Sequence, residues 1–174
     1  MKRQFLGDSY DAVKRLWQEV FADWAPLLAA PQFIPEDIRN DFTTLTGIPI
    51  FNEQHPPVYS IFNDPDTGIR LPDSKNQREG VSHISLITIS SQLSNSAIRC
   101  VLTFDQSHHR EQNRTRADQH NEKVRWLHDR GFHAFYYVSH APFLFAFSRE
   151  IDMNSTRDRL LKMGIPKGRI GIFK

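Results

Sequence analysis

Short apolar runs and helical stripes alternate along this chain. Residues 4–7 form a short apolar run that predicts a strand. From Ser9 onward, apolar residues recur three and four positions apart, which predicts a helix with one buried side. Pro26 and Pro31 then end the helix and open a loop, so the predicted order is strand, turn and helix.

A second helix and a second strand follow. Pro35 and the two acidic residues after it are typical of a first helical turn, and Gly47 is typical of a helix end. We expect Phe42 and Leu45 of this helix to face the core. Residues 58–62 are β-prone and lead into a turn sequence, which predicts a strand.

The middle of the chain contains a continuous apolar run, residues 98–104. It shows no alternation of apolar and polar positions, which indicates a strand covered on both faces. Before it, residues 82–93 fit a helix, although their β-branched content also favours a strand. After it, a long helix is predicted over residues 111–130. The positions expected to face inward on that helix are Ala117, Val124 and Leu127.

The last third of the chain repeats the pattern. Strands are predicted over 132–138 and 143–147, a helix over 152–163 and a closing strand over 169–173. This order predicts one α/β domain over residues 1–174. The expected fold has three layers, with helices on both faces of a mostly parallel, Rossmann-like sheet that carries one antiparallel edge pair.

Composition narrows the classes of function. The chain has 174 residues, 39% of them hydrophobic, which suits one substantial core. Its single cysteine, Cys100, cannot form an intrachain disulfide or a cysteine metal site. The 22 basic and 20 acidic residues leave a formal charge of +2, which is weak support for binding a polyanion.

The sequence also predicts the compartment. Asp8 and Asp11 interrupt the N-terminal segment where a signal peptide needs an apolar stretch. The longest apolar segments fall well short of the roughly 20 residues that span a bilayer. We therefore expect a cytoplasmic protein that makes no membrane contact.

Polar clusters follow four of the predicted strands. In open parallel α/β sheets, ligands bind outside the carboxyl ends of the strands, so these clusters are expected to converge on one crevice. The clusters are Asp8-Ser9, Asp64 with Asp66, Asp105-Gln106-Ser107, and Ser139-His140.

Converging carboxylates suggest a metal site. Asp64, Asp66 and Asp105 are the expected ligands of Mg²⁺ or Mn²⁺, because these hard cations prefer oxygen. Asp8, Asp105 and His140 are the candidate catalytic residues, since a histidine beside a metal site can transfer a proton. The candidate substrate-binding residues are Ser9, Gln106, Ser107 and Ser139.

Each acidic candidate also has a structural interpretation. Asp8 precedes a predicted helix and can cap its free amides. Residues 64–68 have the composition of a plain turn, with aspartate at turn-starting positions and a glycine after them. Asp105 can likewise be a cap or a turn residue. These alternatives stay open at the level of sequence.

Several known motifs are absent from the sequence. Neither GxGxxG nor GxxxxGK occurs, which disfavours an ordinary nucleotide-cofactor fold. No GxSxG elbow is present to support a serine hydrolase.

Four segments carry a resemblance to known proteins: 5–14, 62–68, 104–107 and 137–141. Together they resemble a family of uncharacterised bacterial proteins. The Gly-Asp pair before the first helix and the Asp-Pro-Asp-Thr-Gly sequence after a strand are also similar to Rossmann-like adenine-N6 methyltransferases of ribosomal RNA. That resemblance implies an α/β sheet with a crevice near Asp64. Because the glycine-rich cofactor loop is missing, we expect no binding of S-adenosylmethionine.

Two hypotheses follow. The first is a metal-dependent phosphoester hydrolase that acts on a nucleic acid or a nucleotide. The alternative is a catalytically inactive, methyltransferase-like module that binds a nucleic acid or a protein partner through the same crevice.

Overall fold

The computed structural model describes residues 3–71, 80–108 and 114–171. The helices in these ranges are α1 (Ser9–Phe21), α2 (Arg39–Thr46), α3 (Leu86–Leu93), α4 (Arg116–His128) and α5 (Glu150–Lys162). The strands are β1 (Leu27–Ala29), β2 (Tyr59–Asn63), β3 (Gly68–Ile69), β4 (His83–Ile84), β5 (Ile98–Phe104), β6 (His133–Tyr137), β7 (Phe143–Phe147) and β8 (Ile170–Gly171).

The main sheet has six strands in the order β1-β2-β5-β7-β6-β8. Strands β1, β2 and β5 are parallel to one another, and β7 is antiparallel to both of its neighbours. It follows that β6 runs in the same direction as β5, so four of the six strands share one direction. Strand β8 pairs antiparallel with β6 at the edge, and β3 and β4 form a small separate sheet. The predicted α/β fold, with its mostly parallel sheet, is confirmed.

Helices cover both faces of this sheet. Adjacent residues on a strand point to opposite faces, so Tyr136 and Tyr137 of β6 mark the two sides. Trp17 of α1 packs against the Tyr137 ring at 4.9 Å between ring centroids. His120 of α4 stacks on the Tyr136 ring at 3.9 Å. Helices α2 and α5 contact α1, and α3 contacts α4.

The core is densely aromatic on the α1 face. Trp17 is fully buried and meets the rings of Phe143 and Phe145 edge-on. Phe135 stacks on Phe145 across the β6–β7 pair at 4.8 Å. Such ring pairs contribute about 1 kcal/mol each beyond the burial of their area, and they join the first helix to the antiparallel half of the sheet.

Most of the predicted elements are confirmed. Residues 82–93 are mainly helix α3, and β5 is buried along nearly its whole length, as its continuous apolar run predicted. Helix α4 begins at Arg116, where Thr115 and Asp118 form a capping box, and the predicted helical residues 111–113 lie outside the described residues. The predicted strand 169–173 is observed at Ile170–Gly171, and residues 172–173 lie outside the described residues.

Some local predictions were wrong. The apolar run 4–7 contains a 3-10 turn at Arg3–Phe5 rather than a strand. The first strand of the sheet is instead β1, a three-residue strand between the two prolines where a loop was predicted. Its pairing with β2 supplies the stability that so short a segment lacks alone. Leu45 is 39% exposed and Ala117 is also exposed, so neither faces the core.

None of the helices in the described ranges has the length and apolarity that crossing a bilayer requires.

Gly68 allows a close approach between the turn after β2 and the end of β5. Its φ is +136°, a region that side-chain-bearing residues rarely adopt. A Cβ atom there would lie 2.3 Å from Asp105 Oδ1 and 2.8 Å from the Asp105 Cα. The missing side chain lets the Ile69 amide donate a hydrogen bond to Asp105 at 2.9 Å.

We expect Gly68→Ala to destabilise the protein by about 3 kcal/mol, through backbone strain and a clash with Asp105. Urea denaturation of the purified variant measures the change. Gly168→Ala is the matched control, since a Cβ at Gly168 meets nothing within 4 Å. Equal stability of the two variants would contradict the close approach.

Candidate functional site

The carboxyl ends of β2, β5 and β6 lie at one edge of the sheet, because these strands share a direction. Asn63 of β2 is in register with Thr103 of β5, so Asp64 and Asp105 follow neighbouring strand ends. The start of α1 reaches the same edge, where the Tyr10 ring contacts the Phe104 ring at 5.6 Å. The polar clusters predicted at the strand ends therefore share an edge.

Asp64 and Asp105 nevertheless lie on opposite faces of the sheet. The Asp64 carboxylate contacts Lys14 of α1, the helix that packs on the Tyr137 side. The Asp105 carboxylate contacts Lys123 of α4 and accepts a hydrogen bond from Tyr136 on the other side. The edge thus carries two separate charge clusters.

The Lys14 cluster consists of Asp11, Lys14 and Asp64, with all three side chains about 95% buried. Lys14 Nζ lies 2.8 Å from Asp64 Oδ2 and 3.0 Å from Asp11 Oδ1. Burial by itself would lower the pKa of Lys14, but the two carboxylates outweigh it and the pKa lies above its usual value. The second oxygen of Asp11 accepts from the Gly7 amide at 2.7 Å, which ties the cluster to the turn before α1.

The Lys123 cluster consists of Asp105, Ser107, Lys123 and Tyr136. Lys123 Nζ lies 2.7 Å from Asp105 Oδ2, and both side chains are fully buried. The Tyr136 hydroxyl donates to the same oxygen at 2.7 Å, and Ser107 donates to Asp105 Oδ1. Burial would raise the pKa of Asp105, but the Lys123 ammonium and the hydrogen bonds outweigh it, so the pKa lies below its usual value.

This cluster resembles a serine–lysine pair, since Lys123 Nζ lies 2.8 Å from Ser107 Oγ. Here Lys123 also donates to Asp105, and the Ser107 hydroxyl lies within hydrogen-bond distance of the Asp105 carboxylate and the Ile69 carbonyl. The geometry is that of a structural network.

A crevice opens beside the Lys14 cluster, with a volume of about 90 Å³. Its aromatic walls include Tyr10 and Phe104, and three aspartates and one lysine supply its charges. At the rim, Gln106 donates hydrogen bonds to the Tyr10 hydroxyl and to the His140 carbonyl, and the His140 ring stacks on Tyr10. The described residues that line it are Phe5, Asp8, Tyr10, Lys14, Asp64, Pro65, Asp66, Phe104 and Gln106.

Carboxylates outnumber ammonium groups among the described residues that line the crevice. Asp8, Asp64 and Asp66 line it, and Asp11 lies directly behind Lys14. Lys14 is the one basic residue among the described lining residues, and its ammonium contacts Asp11 and Asp64. Partly buried like charges are screened less than charges in open solvent.

The structure places the predicted site residues in different environments. Asp8 is the N-cap of α1, with Oδ1 accepting from the Tyr10 amide at 2.8 Å, and it also lines the crevice. Ser9 is exposed on the first turn of α1. Ser139 uses its hydroxyl within the β6–β7 turn, where it accepts from the Ala141 amide and donates to the Ala141 carbonyl. Ser107 belongs to the Lys123 cluster.

The three predicted metal ligands are not brought together. Asp64 and Asp66 line the crevice, whereas Asp105 is buried on the other face beside Lys123. In the described ranges, no group of three or more histidine, cysteine, aspartate or glutamate side chains is arranged to hold a metal ion. Instead, lysine ammonium groups contact Asp64 and Asp105, where a metal was expected.

Sequence reasoning missed both lysines. Lys14 lies three residues after Asp11, a spacing that brings side chains together on a helix. Lys123 shares the inward stripe of α4 with Val124 and Leu127, so a charged residue at a core position was the available signal. No comparable feature of the sequence marks Tyr10 or Tyr136 as a site residue.

Comparison of the chain with protein-family models, with curated proteins and with solved structures finds no match.

We expect Lys123→Met to destabilise the protein by about 4 kcal/mol, because it leaves the Asp105 carboxylate buried without its cation. Urea denaturation at pH 7 measures the loss. Arg125→Met, an exposed change on the same helix, is the control. A loss below about 1 kcal/mol for Lys123→Met would show that the ion pair is not required for the fold.

His120 makes stability depend on pH. Burial against Tyr136 lowers the pKa of His120 from 6.5 to about 4. Between those values the unfolded chain binds more protons, so stability falls as pH falls, by about 2 kcal/mol from pH 7 to 5. We expect His120→Phe to flatten this part of the thermal-unfolding profile and exposed His128→Phe to leave it unchanged. If the pH profiles of His120→Phe and His128→Phe have the same shape, His120 is not the source of this pH dependence.

Proposed function

We propose that this domain is a binding module whose crevice takes a positively charged organic group, an ammonium or a guanidinium. The observation that carries the proposal is the lining of the crevice, where the described residues bring the carboxyl groups of Asp8, Asp64 and Asp66 together with aromatic rings. A bound cation would be attracted by these carboxylates.

Aromatic side chains support an organic cation. Tyr10, Phe104 and Phe5 line the same crevice as the carboxylates. The face of an aromatic ring attracts a cation, by about 0.5–2 kcal/mol depending on desolvation. An inorganic ion held by oxygen ligands makes no use of such walls.

The same features disfavour a phosphate-bearing ligand at this site. Lys14 directs its ammonium to Asp64 and Asp11 rather than to the open crevice, so its charge is already neutralised. A phosphate would approach Asp8 and Asp66 and meet like charge. The metal-dependent hydrolase is the competing proposal. It requires Mg²⁺ or Mn²⁺ to bind at the crevice before a phosphate-bearing substrate can approach.

Nuclear magnetic resonance titration tests the proposal with methylguanidinium, methylammonium and uncharged methylurea. We expect both cations to shift the backbone amides of Tyr10 and Gln106 with millimolar dissociation constants, about −4 kcal/mol of binding free energy, and methylurea to have no effect. The variant Asp8→Asn keeps a good helix cap while it removes one charge, so it should weaken cation binding roughly threefold.

Asp23→Asn is the matched control, because Asp23 is exposed beyond the other end of α1. Equal shifts with methylurea and methylguanidinium would refute recognition of charge. Mg²⁺ or Mn²⁺ added in place of the organic cations tests the competing proposal. Saturable shifts at Asp64 and Asp66 that are lost in Asp64→Asn would favour the hydrolase.

A further inference from the structure

The first half of helix α4 is held on the sheet by polar side chains. The apolar residues that α4 buries, Val124 and Leu127, both lie in its second half. Among residues 116–123, all of them described, no apolar side chain is buried. A segment with few buried apolar contacts separates from the rest of a fold at a low cost in free energy. In the first half of α4 the buried residues are Gln119, His120 and Lys123.

His120 is the aromatic contact between this half of α4 and the sheet. It is 1% exposed, and its ring lies parallel to the Tyr136 ring with 3.9 Å between the centroids. Its Nε2 atom is buried and has no hydrogen-bond partner within the described residues. An imidazolium in this position would bury a charged donor without an acceptor, which costs much more than an unpaired nitrogen of the neutral ring. The buried position therefore favours the neutral ring.

The groups around His120 do not compensate for a proton on its ring. Burial is the largest cause that lowers the pKa of His120, and the attraction of Asp105 only partly opposes it. Both Asp105 oxygens already accept hydrogen bonds from other groups. Helix α3, which contacts α4, has no ionisable side chain. The described ionisable groups that face His120 are Asp105 after β5, His108 in the next loop, Arg116 and Lys123 of α4, and Tyr136 of β6.

The ion pair between Lys123 and Asp105 is connected to His120 through Tyr136. The Tyr136 ring stacks on His120, while its hydroxyl donates to the Asp105 oxygen that Lys123 also contacts. Lys123 follows His120 by three residues, so both side chains lie on the same side of the helix. If His120 leaves Tyr136, the helix turn that carries Lys123 moves with it. The two polar contacts of this half of α4 are therefore expected to break together.

We propose that residues 116–123 form an acid-sensitive latch, which leaves the sheet when His120 takes up a proton while the rest of the fold stays intact. Opening gives the imidazolium access to water, and it brings water to Lys123 and Asp105. The latch lies on the α4 face of the sheet and does not depend on ligand binding at the crevice beside Lys14.

Native-state hydrogen exchange, followed by nuclear magnetic resonance at pH 7 and pH 5 with low concentrations of urea, tests the latch. We expect the amides of residues 120–124 to exchange faster than the slowest amides of β5, at rates that urea hardly changes, because a local opening exposes little surface. After correction for the intrinsic effect of pH on exchange, their opening constant should rise about tenfold or more from pH 7 to pH 5. The open segment binds a proton that the closed one does not.

Two variants of the same helix identify the group that takes up the proton. His120→Phe keeps an aromatic ring for Tyr136 and cannot be protonated, so it should abolish the acid-induced rise. His128→Phe changes an exposed histidine and should retain the rise. If His120→Phe does not fold, titration of the His120 ring in the wild-type protein takes its place, and the ring and the amides of residues 120–124 should change with one common midpoint.

Three results would overturn the latch. If the amides of residues 120–124 show the same urea dependence as the slowest amides of β5, this half of α4 opens only when the whole fold does. If the opening constant does not rise at pH 5 in the wild-type protein, acid does not open the segment. If the rise persists in His120→Phe, or if the ring and the amides titrate with different midpoints, His120 is not the group that controls the opening.

Discussion

Buried ammonium–carboxylate pairing is the interaction on which the carboxyl edge of the sheet depends. Asp105 directly follows the central strand β5 and has no exposure to solvent, and a lone charge in that position would cost several kcal/mol. Lys123, Tyr136 and the Ile69 amide together satisfy its oxygens. The pairing therefore sets the position of α4 over the sheet and of the turn that contains Gly68.

The same kind of pairing decides the chemistry of the crevice. At the α1 face, the Lys14 ammonium contacts Asp11 and Asp64, and Asp8 and Asp66 line the crevice beside them. The Lys123 cluster is fully buried on the α4 face, whereas the Lys14 cluster borders an opening on the α1 face. This difference supports our proposal that a ligand binds beside the Lys14 cluster and that the Lys123 cluster is structural.

The sequence by itself determined the class of fold and the edge at which polar residues gather. Apolar periodicity identifies helix α1, and the continuous run in β5 marks a strand covered on both sides, because burial patterns are local properties of a segment. Asp8 as a cap of α1 also follows from local chemistry. The prediction missed strand β1, because three residues are too few to show a periodic pattern. Pairing with β2 supplies the stability that this short segment lacks.

Only the tertiary structure decided which of these polar residues meet. Asp64 and Asp105 follow adjacent strands, and sequence alone suggested one shared metal site. The side on which each carboxylate lies depends on strand register and on which helix packs there, and neither is encoded in a short segment. Lys14 and Lys123 come from helices far away in sequence, at positions where a core residue or a solvated charge would be expected. Their partners lie 50 and 18 residues away, and only the packing of α1 and α4 on opposite faces brings each ammonium to its carboxylate.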